Sequence, residues 1–143
     1  KGETISYSDI HPNLLVCPIN CRAVLEHLIE SAKGSILIQN QYIEDPRLLW
    51  LLGDKITTLW TWNIHIQLPE TDTNKLRQKQ LGKQIVKLIK KPYIHAKMML
   101  IDNQILYLWS INFSANSMDN NRELGILLTD PWVIKKFISI FNL

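Results

Sequence analysis

The chain has 143 residues, 46% of them hydrophobic and 20% charged, with a formal net charge of +3. That length fits one domain able to bury its own core without metal or disulfide staples, and the balance excludes a disordered chain. The charge is too small to argue alone for a nucleic-acid partner, no apolar run approaches the ~20 residues that span a bilayer, and the opening residues carry no signal-peptide pattern.

In chain order, the apolar run 13–18 reads as a short strand and Asn20 as the cap of a helix carrying Leu25, Leu28, Ile29 and Ala32 at helical spacing, ended by Gly34. Cys17 and Cys21 are the only cysteines. They could pair or form half of a metal site, but without a second Cys or Cys/His pair nearby two buried thiols are the favoured reading. Residues 35–39 read as a second strand, and Asp45 before Pro46 opens a helix running to Gly53. In 63–69 the alternation of Ile64, Ile66 and Leu68 with Asn63, His65 and Gln67 marks a third strand. A helix over 75–90, capped by Thr73 or Asn74, is expected to bury Leu76, Leu81, Ile85, Leu88 and Ile89 until Pro92 ends it. Two apolar runs, 94–101 and 105–112, follow around a turn at 102–104. After them come a polar loop at 113–121, a strand over 122–128, and a last helix opened by Asp130 and Pro131. The pattern predicts an α/β fold: a mixed sheet flanked by helices on both faces.

The run 93–102, "YIHAKMMLID", sets a histidine and a lysine two residues apart in an apolar strand. Alternation puts His95 and Lys97 on one face, and in the following run puts Ser110 and Asn112 together, opposite Trp109. If the strands pair through the turn, an imidazole, an ammonium, a hydroxyl and an amide converge on a site for an anion. Glu123, the one carboxylate of the next strand, could hold the histidine by its second nitrogen. Such donors suit a phosphoryl group, and a fixed histidine could act on it as a nucleophile.

"HAKMMLID" followed by "WSIN" resembles the HKD signature of the phospholipase D superfamily, with His95, Lys97, Asp102, Ser110 and Asn112 on the pattern. Residues 116–131 also resemble the family's Ser, Asn-Arg-Glu and Asp-Pro positions, and 17–49 is similar to the opening strand–helix–strand of one such repeat. The resemblance implies a phosphodiesterase without a metal or other cofactor, hydrolysing a phospholipid or nucleic acid through a phosphohistidine. It implies His95 as nucleophile or general acid, Lys97, Ser110 and Asn112 as phosphate ligands, and Glu123 as the partner of His95. Asp102 belongs to the motif, but its place at a turn suits backbone hydrogen bonding at least as well as chemistry.

Members of the family work with two motifs, and this chain carries one; His11, His27 and His65 lack a lysine two residues on and read as surface or structural histidines. The expected partner is therefore a second copy, in a homodimer with the site across its two-fold axis, or a second HKD domain of which residues 1–143 form the companion half. The Lys1 start and Asn40-Gln41-Tyr42, similar to phospholipid-cleaving members, favour the latter slightly. Trp109 stands where the family has glycine, so overpacking could displace the phosphate ligands. The alternative is thus an impaired domain that binds anionic phosphate-bearing partners. Lys75, Arg77, Lys79, Lys83, Lys87, Lys90 and Lys91, with no acidic residue among them, could serve nucleic acid or a peripheral membrane contact, although such a face is commonly just solvated. Most of the tryptophans at 50, 60, 62, 109 and 132 are expected in the core.

Overall fold

The computed structural model describes residues 6–58 and 63–142; Trp60 and Trp62 lie outside them. Seven strands form one sheet: β1 (Leu14–Val16), β2 (Ile36–Gln39), β3 (Ile64–Pro69), β4 (Val86–Ile89), β5 (Met98–Ile101), β6 (Ile105–Trp109) and β7 (Leu124–Leu128). Their order across the sheet is β1-β7-β6-β5-β2-β3-β4. The β2–β3–β4 half is parallel, and β5, β6, β7 and β1 join antiparallel onto β2. Helices α1 (Cys21–Ser31), α2 (Pro46–Thr58), α3 (Asp72–Leu81), α4 (Ala115–Asp119) and α5 (Pro131–Phe141) complete the chain.

The alternation of the strands builds two cores. Ile36, Ile38, Ile64, Ile66, Met99, Ile101, Tyr107 and Trp109 pack with Leu25, Ile29, Leu48 and Leu52 of α1 and α2. On the other face Leu37, Leu100 and Leu106 meet Ile134, Phe137 and Phe141 of α5. The mixed sheet with helices on both faces is therefore present as the pattern required. Among the described residues, no helix is long and apolar enough to cross a membrane.

Several local expectations are corrected. Cys17 and Cys21 are joined in a disulfide rather than left as thiols, because β1 turns directly into α1 and brings their Cα atoms to 5.1 Å, within bridging range. Asn20 stands at the start of α1 but does not cap it with its side chain; it clamps β1 instead, accepting from Val16 N at 2.7 Å and donating to Leu14 O at 3.0 Å. The expected helix 75–90 is two elements. The cap of α3 is Thr71, whose hydroxyl accepts from Asn74 N at 3.1 Å, and the helix stops at Gly82, whose φ of 116° suits glycine. Beyond it, Val86 and Leu88 alternate with Lys87 and Ile89 at period two, so the segment joins the sheet edge as β4. Leu76, expected in the core, is 69% exposed, and so are Trp50 at 61% and Trp132 at 67%, each lying beneath an arginine or lysine of its own helix.

A candidate phosphate site at the end of the central strands

The N-terminal end of β5, the C-terminal end of β6 and the start of β7 meet at one edge of the sheet, which is also where β2 and β3 end. Open α/β sheets place ligands at such carboxyl ends, where connectivity changes direction. The strands stop just short of the motif residues: β5 begins at Met98 and β6 ends at Trp109. Alternation therefore does not deliver the expected shared face. Lys97 lies across from Trp109, whose backbone N–H donates to Lys97 O at 3.2 Å. The site is assembled instead by the irregular segments that leave the strand ends.

Ser110 is the hinge of this assembly. Its backbone N–H donates to Leu124 O at 2.9 Å, its Oγ accepts from Leu124 N at 3.1 Å, and its hydroxyl donates to Glu123. The other oxygen of Glu123 accepts from Ser117 Oγ at 3.1 Å, and Ser117 Oγ also accepts from Asn112 N at 3.0 Å. Ser117 is buried and opens no path to solvent; matched in sequence only as a motif position, it proves to be the brace between Asn112 and Glu123. Its place is secured by α4, where Ser114 accepts from Ser117 N at 3.1 Å. The next turn is tied to α1 and α2 by Arg22, which donates to Asp119 at 2.6 Å and to Asp45 at 2.7 Å. Arg22 escaped sequence reasoning because its partners lie 23 and 97 residues away.

Lys97 is half-buried, and its Nζ donates to His95 O at 3.1 Å. Burial holds its ammonium below the usual lysine range, while the nearby negative charge of Glu123 acts to raise it. Lys97, Ser110 and Glu123 thus form one electrostatic cluster. The Asn112 side-chain oxygen is buried without a hydrogen-bond partner among the described residues.

His95 is exposed and its carbonyl accepts from Lys97 Nζ; it lines a cleft of about 650 Å³ walled by Ile89, Tyr93, Ile94, Ile140 and Phe141, which Lys97, Ser110, Asn112 and Glu123 do not line. The cleft also meets the buried pair Gln39 and Gln67, joined at 2.6 Å. The expected hydrogen bond from a His95 ring nitrogen to Glu123 is not present; the two carboxylate oxygens accept from Ser110 and Ser117 instead. His27 and His65 are exposed, and His11 Nδ1 accepts from Asn13 N at 3.1 Å.

Asp102 stands apart. It lies at the opposite end of β5, about 13 Å along the strand from Met98 at ~3.3 Å per residue. Its carboxylate accepts from three backbone amides: Lys33 N at 3.1 Å, Gly34 N at 2.6 Å and Ser35 N at 3.0 Å. Burial alone would push this carboxyl up, but the three amides and the charge of Lys55 hold it below the usual carboxylate range. Asp102 and Asn103 also take positive φ values of 53° and 55° in the β5–β6 turn, a region that Asp and Asn tolerate better than most residues. The carboxylate oxygens of Asp102 thus go to backbone amides, as its place at a turn suggested.

Trp109 is housed rather than obstructive. It is 8% exposed, packs at 5.7 Å from Tyr107 and 5.8 Å from Phe113 between ring centroids, and lies in the core on the α1/α2 face.

Sheet and helices together form a fold of the phospholipase D type. The chain belongs to the family described as "Cardiolipin synthase, PLD-like domain", whose model matches residues 25–143. It is 29% identical over 125 residues to the major cardiolipin synthase ClsA of Bacillus subtilis (strain 168), covering 80% of this chain and 26% of that protein. It is 28% identical over 92 residues to phospholipase D alpha 1 of Ricinus communis, covering 62% of this chain and 11% of that one. The chain thus spans about a quarter or less of the length of these curated relatives. In fold it is similar to Nuc of Salmonella typhimurium, a phospholipase D family member, with a TM-score of 0.75 at 19% identity over 92% of this chain and 93% of that one. It is also similar to NucT of Helicobacter pylori, with a TM-score of 0.70 at 21% identity over 90% and 91% of the two chains.

Proposed function

We propose that this chain supplies one half of the active site of a phosphodiesterase of the phospholipase D type. The observation that carries the reading is the cluster of Lys97, Ser110 and Glu123 at the end of the central strands, with an exposed imidazole two residues from the lysine. In this reading the ammonium of Lys97 and the amide of Asn112 bind the non-bridging oxygens, joined by the hydroxyl of Ser110 once it turns its single proton from Glu123 to the anion. They also stabilise the charge those oxygens gain in the transition state. A His95 nitrogen attacks phosphorus, forming a P–N bond as the bond to the leaving oxygen breaks. The proton for that oxygen comes from a second histidine, supplied by another copy of the chain or by a second HKD domain. Water, giving its proton to that second histidine, then opens the phosphohistidine and restores His95. Glu123, engaged with Ser110 and Ser117, acts in this scheme by orienting the serine hydroxyl.

The apolar cleft beside His95 favours a phosphodiester bearing an apolar group, as in a phospholipid, over a nucleic acid. The seven basic residues of 75–91 give the nucleic-acid reading less support than one continuous helix would, since they are divided between α3, the loop after it and the sheet edge. The packing of Trp109 in the core supports the catalytic reading over the alternative, an impaired domain that only binds phosphate-bearing partners.

The test is hydrolysis of bis(p-nitrophenyl) phosphate, with His95→Ala and with EDTA. The expected result is loss of at least a thousandfold in rate for the variant and no loss on chelation. Undiminished activity in the variant, or abolition by EDTA, overturns the reading.

A further inference from the structure

The closest approach between β6 and β7 falls at the edge of the site. Trp109 and Gly125 are paired across the antiparallel ladder. A Cβ built on Gly125 would lie 2.8 Å from Trp109 Cβ, with Leu108 O and Leu15 Cβ both at 3.4 Å. Facing side-chain-bearing residues ordinarily keep their Cβ atoms about 4.5–5.5 Å apart, so the two strands are nearer here than any residue but glycine allows. The Trp109 ring packs between Tyr107 and Phe113, and turning it would leave its Cβ, the atom in contact, where it is.

The backbone at this point is also the backbone of the site. Trp109 N–H donates to Lys97 O at 3.2 Å, and the next residue, Ser110, donates to Leu124 O at 2.9 Å. Leu124 lies between Gly125 and Glu123 in sequence. A displacement of β6 from β7 would therefore move Ser110 away from Glu123 and shift Lys97 with it.

We infer that Trp109 and Gly125 form a size-matched positioning pair: the indole anchors β6 in the core, and the missing Cβ opposite lets β7 close on it, which brings the Ser110 hydroxyl onto Glu123. Neither residue touches substrate in this account, and the inference rests on reading Lys97 and Ser110 as phosphate ligands. It makes the tryptophan a requirement of the site rather than a blemish in it, provided that position 125 stays empty.

The experiment is a double-mutant cycle of Gly125→Ala, Trp109→Gly and the two combined, read out three ways. These are the thermal midpoint, kcat and KM for bis(p-nitrophenyl) phosphate well below that midpoint, and the affinity for tungstate as a phosphate stand-in. Gly125→Ala is expected to lower kcat and tungstate affinity by tenfold or more in fully folded protein, since a displacement of about an ångström costs roughly a hundredfold in rate. The added Trp109→Gly should return part of both, because the Cβ that obstructs the new one at position 125 is then gone. A Gly125→Ala protein that melts earlier but, while folded, keeps full kcat and affinity assigns the pair a merely structural role and overturns the inference. So does a cycle without coupling. Should the unaltered chain bind tungstate yet hydrolyse nothing, the phosphodiesterase reading fails while the tungstate arm still decides this one.

Discussion

The two ends of β5 make opposite use of polar groups. At one end the Asp102 carboxylate is saturated by the amides of Lys33, Gly34 and Ser35. At the other, His95 is exposed, Lys97 donates to a backbone carbonyl two residues away, and the Asn112 oxygen is buried without a partner among the described residues. A buried polar group left unpaired costs free energy, so the open end carries a stability penalty that the closed end does not. Both ends lie within one ten-residue run of sequence. The difference teaches that motif membership alone does not sort residues by role; the partners each side chain keeps must be read with it.

Breaking the two ends separately should give mirror-image results. Lys97→Met is expected to reduce phosphodiester hydrolysis by about a hundredfold or more, through the loss of a charged donor to the transition state, with little change in thermal midpoint. Asp102→Ala is expected to cost about 1–3 kcal/mol of stability by stranding the amides it accepts from, with turnover of the folded protein nearly unchanged. Thermal melts and steady-state kinetics on both variants check the pair; a catalytic collapse in folded Asp102→Ala would erase the distinction. The sign with pH follows. Because the Asp102 carboxyl is held down in the folded chain, its contribution is present above its unfolded value of about 3.9 and is lost as pH falls through the lower folded value.

A smaller effect sharpens the open end. Burial lowers the Lys97 ammonium while Glu123 supports it, so the alkaline limb of kcat/KM should fall below the usual lysine range of about 10.4. Glu123→Gln removes the supporting charge and should move that limb further toward neutral pH. A limb that stays in place or moves upward contradicts the coupling.

Much of the fold was legible because alternation and helical spacing are direct signals of which face is buried, as in β3 and in α5 with its Asp130–Pro131 start. The run 83–90 misled because lysines at Lys83, Lys87 and Lys90 mimic the solvent face of a helix, while the β-branched Ile85, Val86 and Ile89 were the better guide. At the site, His95, Lys97, Ser110 and Glu123 were legible as residue types at set spacings. The brace of Ser117 and the anchor of Arg22 were not, since both depend on contacts between distant segments. Strand parity failed at Lys97 for a related reason: alternation holds only while the ladder continues, and the ladder ends one residue before the chemistry begins. The space for Trp109 was likewise invisible, because it lies on another strand, at Gly125.

The central claim is that His95, Lys97, Ser110 and Asn112 gather on one tetrahedral anion. A crystal structure of the chain soaked with tungstate, alongside its mass in solution, tests it most directly. The account predicts tungstate oxygens within hydrogen-bond distance of Lys97 Nζ, Ser110 Oγ and the Asn112 amide, and a His95 nitrogen facing the metal atom that stands in for phosphorus. A second histidine, from another copy or another HKD domain, should lie on the opposite side. Tungstate bound elsewhere on the chain, or bound here with His95 turned away from it, would contradict the account.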